Sequence, residues 1–241
     1  MSNEAVSTPV PPMQRWKNTL DTVATIAMII AAGVLIWKIV LVPSDNRKRE
    51  SLAVPKSPVS IAGSPVVGDP RTRAVMVEFS DFECPFCGQF ARETMPAIQR
   101  DYVSAGKLRV AFRHNPLAMH LRAPAAAQSA TCAAAQGKFW EMHNLLFAKP
   151  SLLADEDLKK KAMDAGVEKT AFEACMTRGG NSVERDLADA KALGIQTTPA
   201  FLFGLEDQPG SVRISSVLTG AAPFSVFSKT LDELLAVKPS R

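Results

Sequence analysis

Residues 74–87 read AVMVEFSDFECPFC, and this stretch decides the fold of the chain. Its first six residues are apolar except for one glutamate, which predicts a strand. The motif Cys84-x-x-Cys87 follows, and residues 88–103 predict a helix because large side chains recur there at helical spacing. Pro96 lies inside that helix and is expected to kink it without ending it.

The order of strand, cysteine motif and helix has a chemical consequence. It places Cys84 at a helix N-terminus, where unpaired N–H groups and the positive end of the helix dipole favour a thiolate. The thiolate is the attacking species in disulfide exchange, so the motif indicates redox chemistry. A C-x-x-C motif can also form half of a zinc site. His114 and His120 could complete such a site, but they follow Cys87 at about twice the usual interval, so this is the weaker interpretation.

The rest of the domain completes an α/β pattern. The predicted elements are a strand at 107–113, a helix-prone block at 118–192, an apolar run at 200–203, an alternating run at 212–218 and a helix at 223–236. Pro209-Gly210 marks a turn that would join the last two strands as a hairpin.

Four segments resemble DsbA-like thiol:disulfide oxidoreductases of the thioredoxin superfamily, and they occur in that family's order. They are FSDFECPFC at 79–87, FRHNPL at 112–117, QGKFW at 136–140 and GIQTTPA at 194–200. The resemblance implies a thioredoxin-like fold over residues 65–241, with a helical insertion at about 118–192. It implies no cofactor, since the two cysteines carry the chemistry.

The cysteines and one proline receive roles in this comparison. Cys84 is expected to be the exposed nucleophile that forms a mixed disulfide with a client protein, and Cys87 the more buried, resolving thiol. The resemblance implies a cis peptide bond at Pro199, with Thr198 offering backbone hydrogen bonds to an extended client. Without the resemblance, a trans proline at a strand start is the expectation, because cis bonds are uncommon.

Glu78 lies on the opposite face of its strand from Val75, Val77 and Phe79. In the family, a carboxylate at this distance before the motif helps to move a proton from the buried cysteine, and burial would raise its pKa into the range of a general base. The alternative is a solvent-facing glutamate, since acids are seldom fully buried.

Phe86 departs from the family pattern, because well-known members have histidine between the cysteines. Phenylalanine cannot donate a hydrogen bond or carry a charge to a thiolate, and Asp81 and Glu83 would oppose a thiolate if they were close. We therefore expect a less oxidising cysteine pair than in the strongest oxidants of the family.

Two further cysteines, Cys132 and Cys175, lie towards opposite ends of the helix-prone block. They would be neighbours if its helices fold back on themselves, and could then form a structural disulfide. The alternative is two separate buried thiols, since free cysteine behaves as a small apolar residue.

The N-terminal part predicts a membrane anchor at 20–42, between a disordered tail at 1–19 and an extended linker at 43–64. A cleaved signal peptide is the alternative, but such a segment is usually shorter and begins nearer the N-terminus. More basic residues follow the span than precede it, which favours a cytoplasmic domain. Four cysteines favour an oxidising compartment instead. We expect a single-pass protein of the inner membrane, with its domain on the periplasmic side.

The leading functional hypothesis is a thiol oxidase that acts on cysteine-containing exported proteins, with a membrane redox partner that restores its disulfide, and with lipid around its anchor. The alternatives are a reductase or isomerase, and a non-enzymatic peptide-binding module tethered to the membrane. The net charge of +4 comes with no basic stripe, so nucleic acid is not an expected partner.

Overall fold

The computed structural model describes residues 25–33 and 52–237. The chain divides into two units, residues 1–50 and 51–241. In the first unit, residues 25–33 form a helix with exposed side chains. In the described ranges no helix is both long enough and apolar enough to cross a membrane. The predicted tail, the anchor on either side of 25–33 and the linker up to residue 51 lie outside the described residues.

The described part of the second unit contains one sheet of six strands. The strands are β1 (Val59–Ser60), β2 (Val66–Val67), β3 (Ala74–Ser80), β4 (Arg109–His114), β5 (Ala200–Gln208) and β6 (Ser211–Thr219). Their order across the sheet is β1-β6-β5-β3-β4-β2. Strand β3 pairs in parallel with β4 and antiparallel with β5, so the strand that leads to the cysteine motif lies inside the sheet.

Strand β1 corrects the predicted domain boundary at residue 65. Val59 and Ser60 lie opposite Val212 and Ser211, and the Ile61 amide donates a hydrogen bond to the Gly210 carbonyl. The sheet therefore includes residues that the sequence places in a linker. A strand of two residues is too short to show the alternation by which strands are recognised.

Helix α1 comprises residues 85–103 and is not uniform. It is α-helical over Pro85–Gln89 and Met95–Ile98, and π-helical over Phe90–Thr94 and Gln99–Val103. The first π-helical segment ends just before Pro96, which has no N–H to donate and whose ring would collide with the carbonyl four residues earlier. A wider turn at this point accommodates both effects.

Six further helices follow α1 in the described residues. They are α2 (Ala123–Ala134), α3 (Phe139–Ala148), α4 (Asp155–Asp164), α5 (Lys169–Arg178), α6 (Ser182–Ala192) and α7 (Phe224–Ala236). Five of them, α2 to α6, occupy the predicted insertion, and the α/β architecture with a helical block is confirmed.

Strand β3 is buried along its whole length because both faces of the sheet are covered. Val75, Val77 and Phe79 belong to one apolar cluster. Met76 belongs to a second cluster on the opposite face, which also contains Phe90 of α1 and side chains of α7. The predicted alternation is confirmed. Neither face of this strand is left to solvent.

The insertion packs against the segment that carries the cysteines. Phe82, two residues before Cys84, stacks on Phe112 of β4 with ring centroids 5.4 Å apart, and lies 4.8 Å from the ring of Phe147 in α3. Cys84 and Cys87 belong to the same cluster. Burial of one such phenylalanine contributes about 1.5–3 kcal/mol, so the insertion holds the cysteine loop firmly in place.

Cys132 of α2 and Cys175 of α5 are joined in a disulfide, as the first of the two alternatives predicts. Their Cα atoms are 5.7 Å apart across a sequence separation of 43 residues. By restricting the unfolded chain, a loop of this length stabilises the fold by about 4 kcal/mol.

Candidate active site

Cys84 lies at the junction of the β3 loop and helix α1. Its backbone is extended, with φ −71° and ψ 122°, and Pro85 is the first helical residue. A proline is favourable there because the N–H that it lacks would have no partner within the helix. The Gly88 amide donates to the Cys84 carbonyl at 3.1 Å, so Cys84 begins the hydrogen-bond pattern of the helix.

The surroundings of Cys84 favour its thiolate. A hydrogen bond with the Cys87 thiol has the largest effect, and contacts with Thr198 and with the backbone N–H groups of Cys87 and Phe86 add to it. They outweigh the effect of burial and lower the pKa of Cys84 from 9.0 to about 5. The sequence predicts this direction from the helix terminus alone, but the largest contribution comes from the second cysteine.

Cys87 is ionised much less readily than Cys84. It has no exposed surface, and burial raises the pKa of its thiol well above the ordinary value, with the hydrogen bond to Cys84 adding to the rise. The Asp81 amide lies 3.4 Å from Cys87 Sγ. Both cysteines are free thiols, so the structure is that of the reduced pair.

The expectation that Cys84 is exposed is wrong for this reduced form, since the residue is only 4% exposed. The cause is the loop before β5. Its Thr198-Pro199 peptide bond is cis, and the Thr198 carbonyl accepts a hydrogen bond from Cys84 Sγ at 3.4 Å. The Gly220 amide holds the other side of the loop by donating to the Pro199 carbonyl at 2.8 Å. Cys84 nevertheless keeps some exposed surface, whereas Cys87 keeps none.

Glu78 is buried in the sheet, opposite Phe112 of β4 and Phe201 of β5, which excludes the solvent-facing alternative. Burial raises the pKa of Glu78 from 4.5 to about 7, and its Oε1 has no hydrogen-bond partner in the described chain. Ser80, the last residue of β3, lies on the same face of the strand as Glu78, and the amide of the next residue, Asp81, lies 3.4 Å from Cys87 Sγ, so Glu78 and Cys87 lie at the same end of β3. Such a carboxyl can accept or release a proton near neutral pH.

Asp81 and Glu83 both have hydrogen-bond donors around their carboxylates. Asp81 accepts from the Leu117 and Glu83 amides at 2.8 Å each, and its Oδ2 lies 2.7 Å from His120 Nδ1. Glu83 accepts from the backbone amides of Arg122 and Ala123 at the start of α2. The expected opposition of these carboxylates to the thiolate is therefore reduced by their own partners.

The structure separates the two histidines that the sequence raises as zinc ligands. His114 is buried among aromatic rings, 5.2 Å from the centroid of Phe112, while His120 contacts Asp81. Within the described ranges, no three side chains of the ligating types are grouped as a metal site requires. The sequence does not predict the contact between His120 and Asp81, because nothing in the spacing of these two residues shows that they meet.

Large apolar side chains next to the cysteines and next to His120 in sequence are exposed. Phe86, between the two cysteines, is 59% exposed, and Met119 and Leu121, on either side of His120, are 79% and 86% exposed. Exposed apolar side chains of this size, next to a reactive group, are typical of a surface that binds another protein.

Comparison with known proteins places this geometry in a family. Residues 60–215 match the protein-family model described as thioredoxin. Among solved structures, alpha-DsbA1 of Wolbachia pipientis aligns with a TM-score of 0.61 and 24% identity, over 72% of this chain and 91% of that one. Oxidised BdbD of Bacillus subtilis aligns with a TM-score of 0.65 and 23% identity, over 77% and 99%. At these identities the likeness shows the fold.

A curated relative carries a different name. The Na(+)/H(+) antiporter NhaA 3 of Salinispora tropica is 34% identical to this chain over 166 residues, which are 67% of this chain and 24% of the antiporter. The chain therefore spans about a quarter of the length of that relative.

Proposed function

Because the chain belongs to the thioredoxin family, we propose that it is a DsbA-like thiol:disulfide oxidoreductase that oxidises cysteines of client proteins. The observation that carries this proposal is the difference between its two thiols. The pKa of Cys84 is lowered to about 5, and that of Cys87 is raised well above its ordinary value. Cys84 is thus a good nucleophile and a good leaving group, whereas Cys87 remains protonated as a thiol.

The exchange begins from the oxidised pair. A client thiolate attacks Cys84 Sγ, the Cys84–Cys87 bond breaks, and Cys87 leaves as a thiolate that takes up a proton. In this proposal Glu78, with a pKa of about 7, supplies that proton. A second client thiolate then attacks the client sulfur of the mixed disulfide, which releases Cys84 as a thiolate. The client loses two electrons and the cysteine pair gains them.

The low pKa of Cys84 also supports the direction of exchange. A stable thiolate stabilises the reduced form of the pair, and therefore makes the disulfide form a stronger oxidant. For repeated turnover the electrons must pass to an acceptor, and we propose a membrane redox partner for this role. Thr198 and Pro199, with the exposed apolar side chains near the motif, would bind an extended client segment.

The test is the oxidation of a reduced, unfolded model protein that becomes active only when its disulfides form. The chain in its disulfide form is expected to accelerate this oxidation in a glutathione buffer, and Cys84→Ser is expected to abolish the acceleration. Cys87→Ser should instead accumulate as a mixed disulfide with the model protein. Reduction of client disulfides without oxidation would point to the reductase alternative. Full function of Cys84→Ser in cells would favour a non-enzymatic module.

We further propose that residues 20–42 anchor the domain on the extracytoplasmic side of the inner membrane. The Cys132–Cys175 bond supports this location, since such bonds persist in oxidising compartments. A reporter that is active only after export, fused after Arg241, is expected to be active. Activity of a cytoplasmic reporter at the same position, with the export reporter silent, would place the domain in the cytoplasm.

A further inference from the structure

The segment between the cysteines supplies no charge to the Cys84 thiolate. Its two residues, Pro85 and Phe86, can neither carry a charge nor donate a side-chain hydrogen bond. A thiolate in a mostly buried position nevertheless gains from a nearby cation. Outside that segment, His120 interacts electrostatically with Asp81, Glu83 and the Cys84 thiolate.

His120 is the cation-forming group of this set, and it is held by several contacts. Its Nδ1 lies 2.7 Å from Asp81 Oδ2, and the Asp81 side chain is fully buried, while that of His120 is 17% exposed. Asp81 also accepts from the Leu117 amide, and the His120 amide donates to the Leu117 carbonyl at 2.9 Å. The loop that carries His120 is thus fixed to the end of β3.

Asp81 also contacts the cysteine motif through its backbone. Its carbonyl accepts a hydrogen bond from the Cys84 amide at 3.1 Å, and its own amide lies 3.4 Å from Cys87 Sγ. One residue therefore links His120 to both cysteines.

Of the three histidines in the chain, His120 is the one whose pKa is raised above its ordinary value. Burial lowers the pKa of His114 to about 3 and that of His143 to about 4. Partial burial also lowers the pKa of His120, but the hydrogen bond to Asp81 and the negative charges of Asp81, Cys84 and Glu83 together raise it above its ordinary value.

We propose that His120, held against the buried Asp81 carboxylate, is a positioning residue whose protonated ring stabilises the Cys84 thiolate. The proposal rests on the proposed function and deepens it, because it names the charge that tunes the reactive sulfur. It also assigns a role to Asp81, which orients the ring and keeps it protonated while Cys84 is reduced.

The coupling is reciprocal. If protonated His120 stabilises the thiolate, the thiolate must stabilise protonated His120 by the same free energy. Forming the Cys84–Cys87 disulfide removes the thiolate, so it must lower the pKa of His120. A purely structural contact between His120 and Asp81 would not respond in this way.

Proton NMR of the histidine ring signals tests this in the wild-type chain. The pKa of His120 is expected to be lower by about one unit in the disulfide form than in the dithiol form. The signals of His114 and His143 should not titrate between pH 5 and 8 and serve as internal references. An equal pKa for His120 in the two forms would overturn the proposal.

A variant gives the complementary measurement. His120→Asn keeps a donor for Asp81 but removes the charge, and should raise the pH midpoint of Cys84 alkylation by about one unit. It should shift the equilibrium with glutathione about tenfold towards the protein disulfide, which corresponds to about 30 mV. Arg122→Gln removes an exposed cation from the same loop and should change neither quantity.

An unchanged alkylation midpoint in His120→Asn, with normal exchange by the wild type, would refute the role of His120 and leave the proposed function standing. If the wild type does not exchange disulfides with glutathione, the proposed function is wrong. The pH midpoints of Cys84 alkylation would still test the role of His120. If the variant does not fold, the NMR comparison of wild-type redox forms decides alone.

Discussion

At pH 7, Cys84 of the reduced chain is expected to be alkylated as a thiolate, with a reaction midpoint near pH 5. The reason is that its pKa is lowered to about 5 by the Cys87 thiol, Thr198 and the backbone amides of the first helical turn. Thiolate should then exceed thiol about a hundredfold at pH 7, whereas an ordinary thiol with a pKa of 9.0 would show the opposite ratio. The thiolate-to-thiol ratios differ about ten-thousandfold, and the ionised fractions differ about a hundredfold.

The measurement is the rate of iodoacetamide modification of Cys84 against pH, followed by mass spectrometry. Cys132 and Cys175 do not interfere because they are joined to each other. Cys84→Ser is the control, and it should show no reaction of Cys87 in the same pH range, since burial raises the pKa of that thiol. A midpoint for Cys84 at or above that of a free thiol would contradict the prediction.

The same pKa shift gives the reduced form a pH-dependent stability. Because the pKa of Cys84 is lower in the folded chain than in the unfolded one, the folded dithiol form is stabilised above the unfolded pKa. This stabilisation is lost as the pH falls from about 9 to about 5. The disulfide form has no thiol at this site and should lack the effect.

The second large effect is expected for Glu78→Gln. Burial raises the pKa of Glu78 from 4.5 to about 7, so the folded protein binds more protons than the unfolded protein between these values. Wild-type stability therefore falls as the pH rises through this range. At pH 8 the raised pKa of Glu78 lowers the free energy of unfolding by about 3 kcal/mol, and at pH 4 this effect is absent. Glutamine removes it, and the variant should gain about that much relative to wild type between pH 4 and pH 8.

Denaturant unfolding of the disulfide form at pH 4 and pH 8 measures this difference, because Cys84 and Cys87 then do not titrate. Glu233→Gln, on the exposed side of α7, is the matched control and should give the same difference at both pH values. The same Glu78 variant should slow proton transfer to or from Cys87, by about a hundredfold if the carboxyl is the general base. An equal stability change at pH 4 and pH 8 would show that Glu78 is not an ionisable buried group.

Elements with strong local signals could be predicted from the sequence. The apolar run of β3 and the cysteine motif at the start of α1 are local patterns, and they predict the architecture and the position of Cys84. The alternation along β3 put Glu78 on the face of Met76. It could not show that Glu78 is buried, because burial depends on β5 and α7, which come from distant parts of the chain.

The rest of the site could not be predicted from local patterns, because it depends on contacts between residues that are far apart in the sequence. The Thr198 carbonyl lies 114 residues after Cys84 in sequence, and its nearness follows from the pairing of β3 with β5. His120 meets Asp81 across 39 residues because the chain turns back after β4. Neither contact leaves a periodic or spaced pattern in the sequence, and only the family resemblance places Thr198 and the cis Pro199 at the site. The same holds for β1, whose two residues join the sheet only through the distant strand β6.

Because its fold contains the Cys132–Cys175 bond, this protein needs an oxidation step during its own folding. The bond joins helices α2 and α5 across 43 residues, and the thiols of a newly synthesised copy must lose two electrons before it can form. If no electron acceptor is present, a copy folds without the bond between α2 and α5, although Cys84 and Cys87 are both present as thiols. The chain must therefore be oxidised at one pair of cysteines to complete its own fold, and this requirement is separate from the chemistry of Cys84 and Cys87.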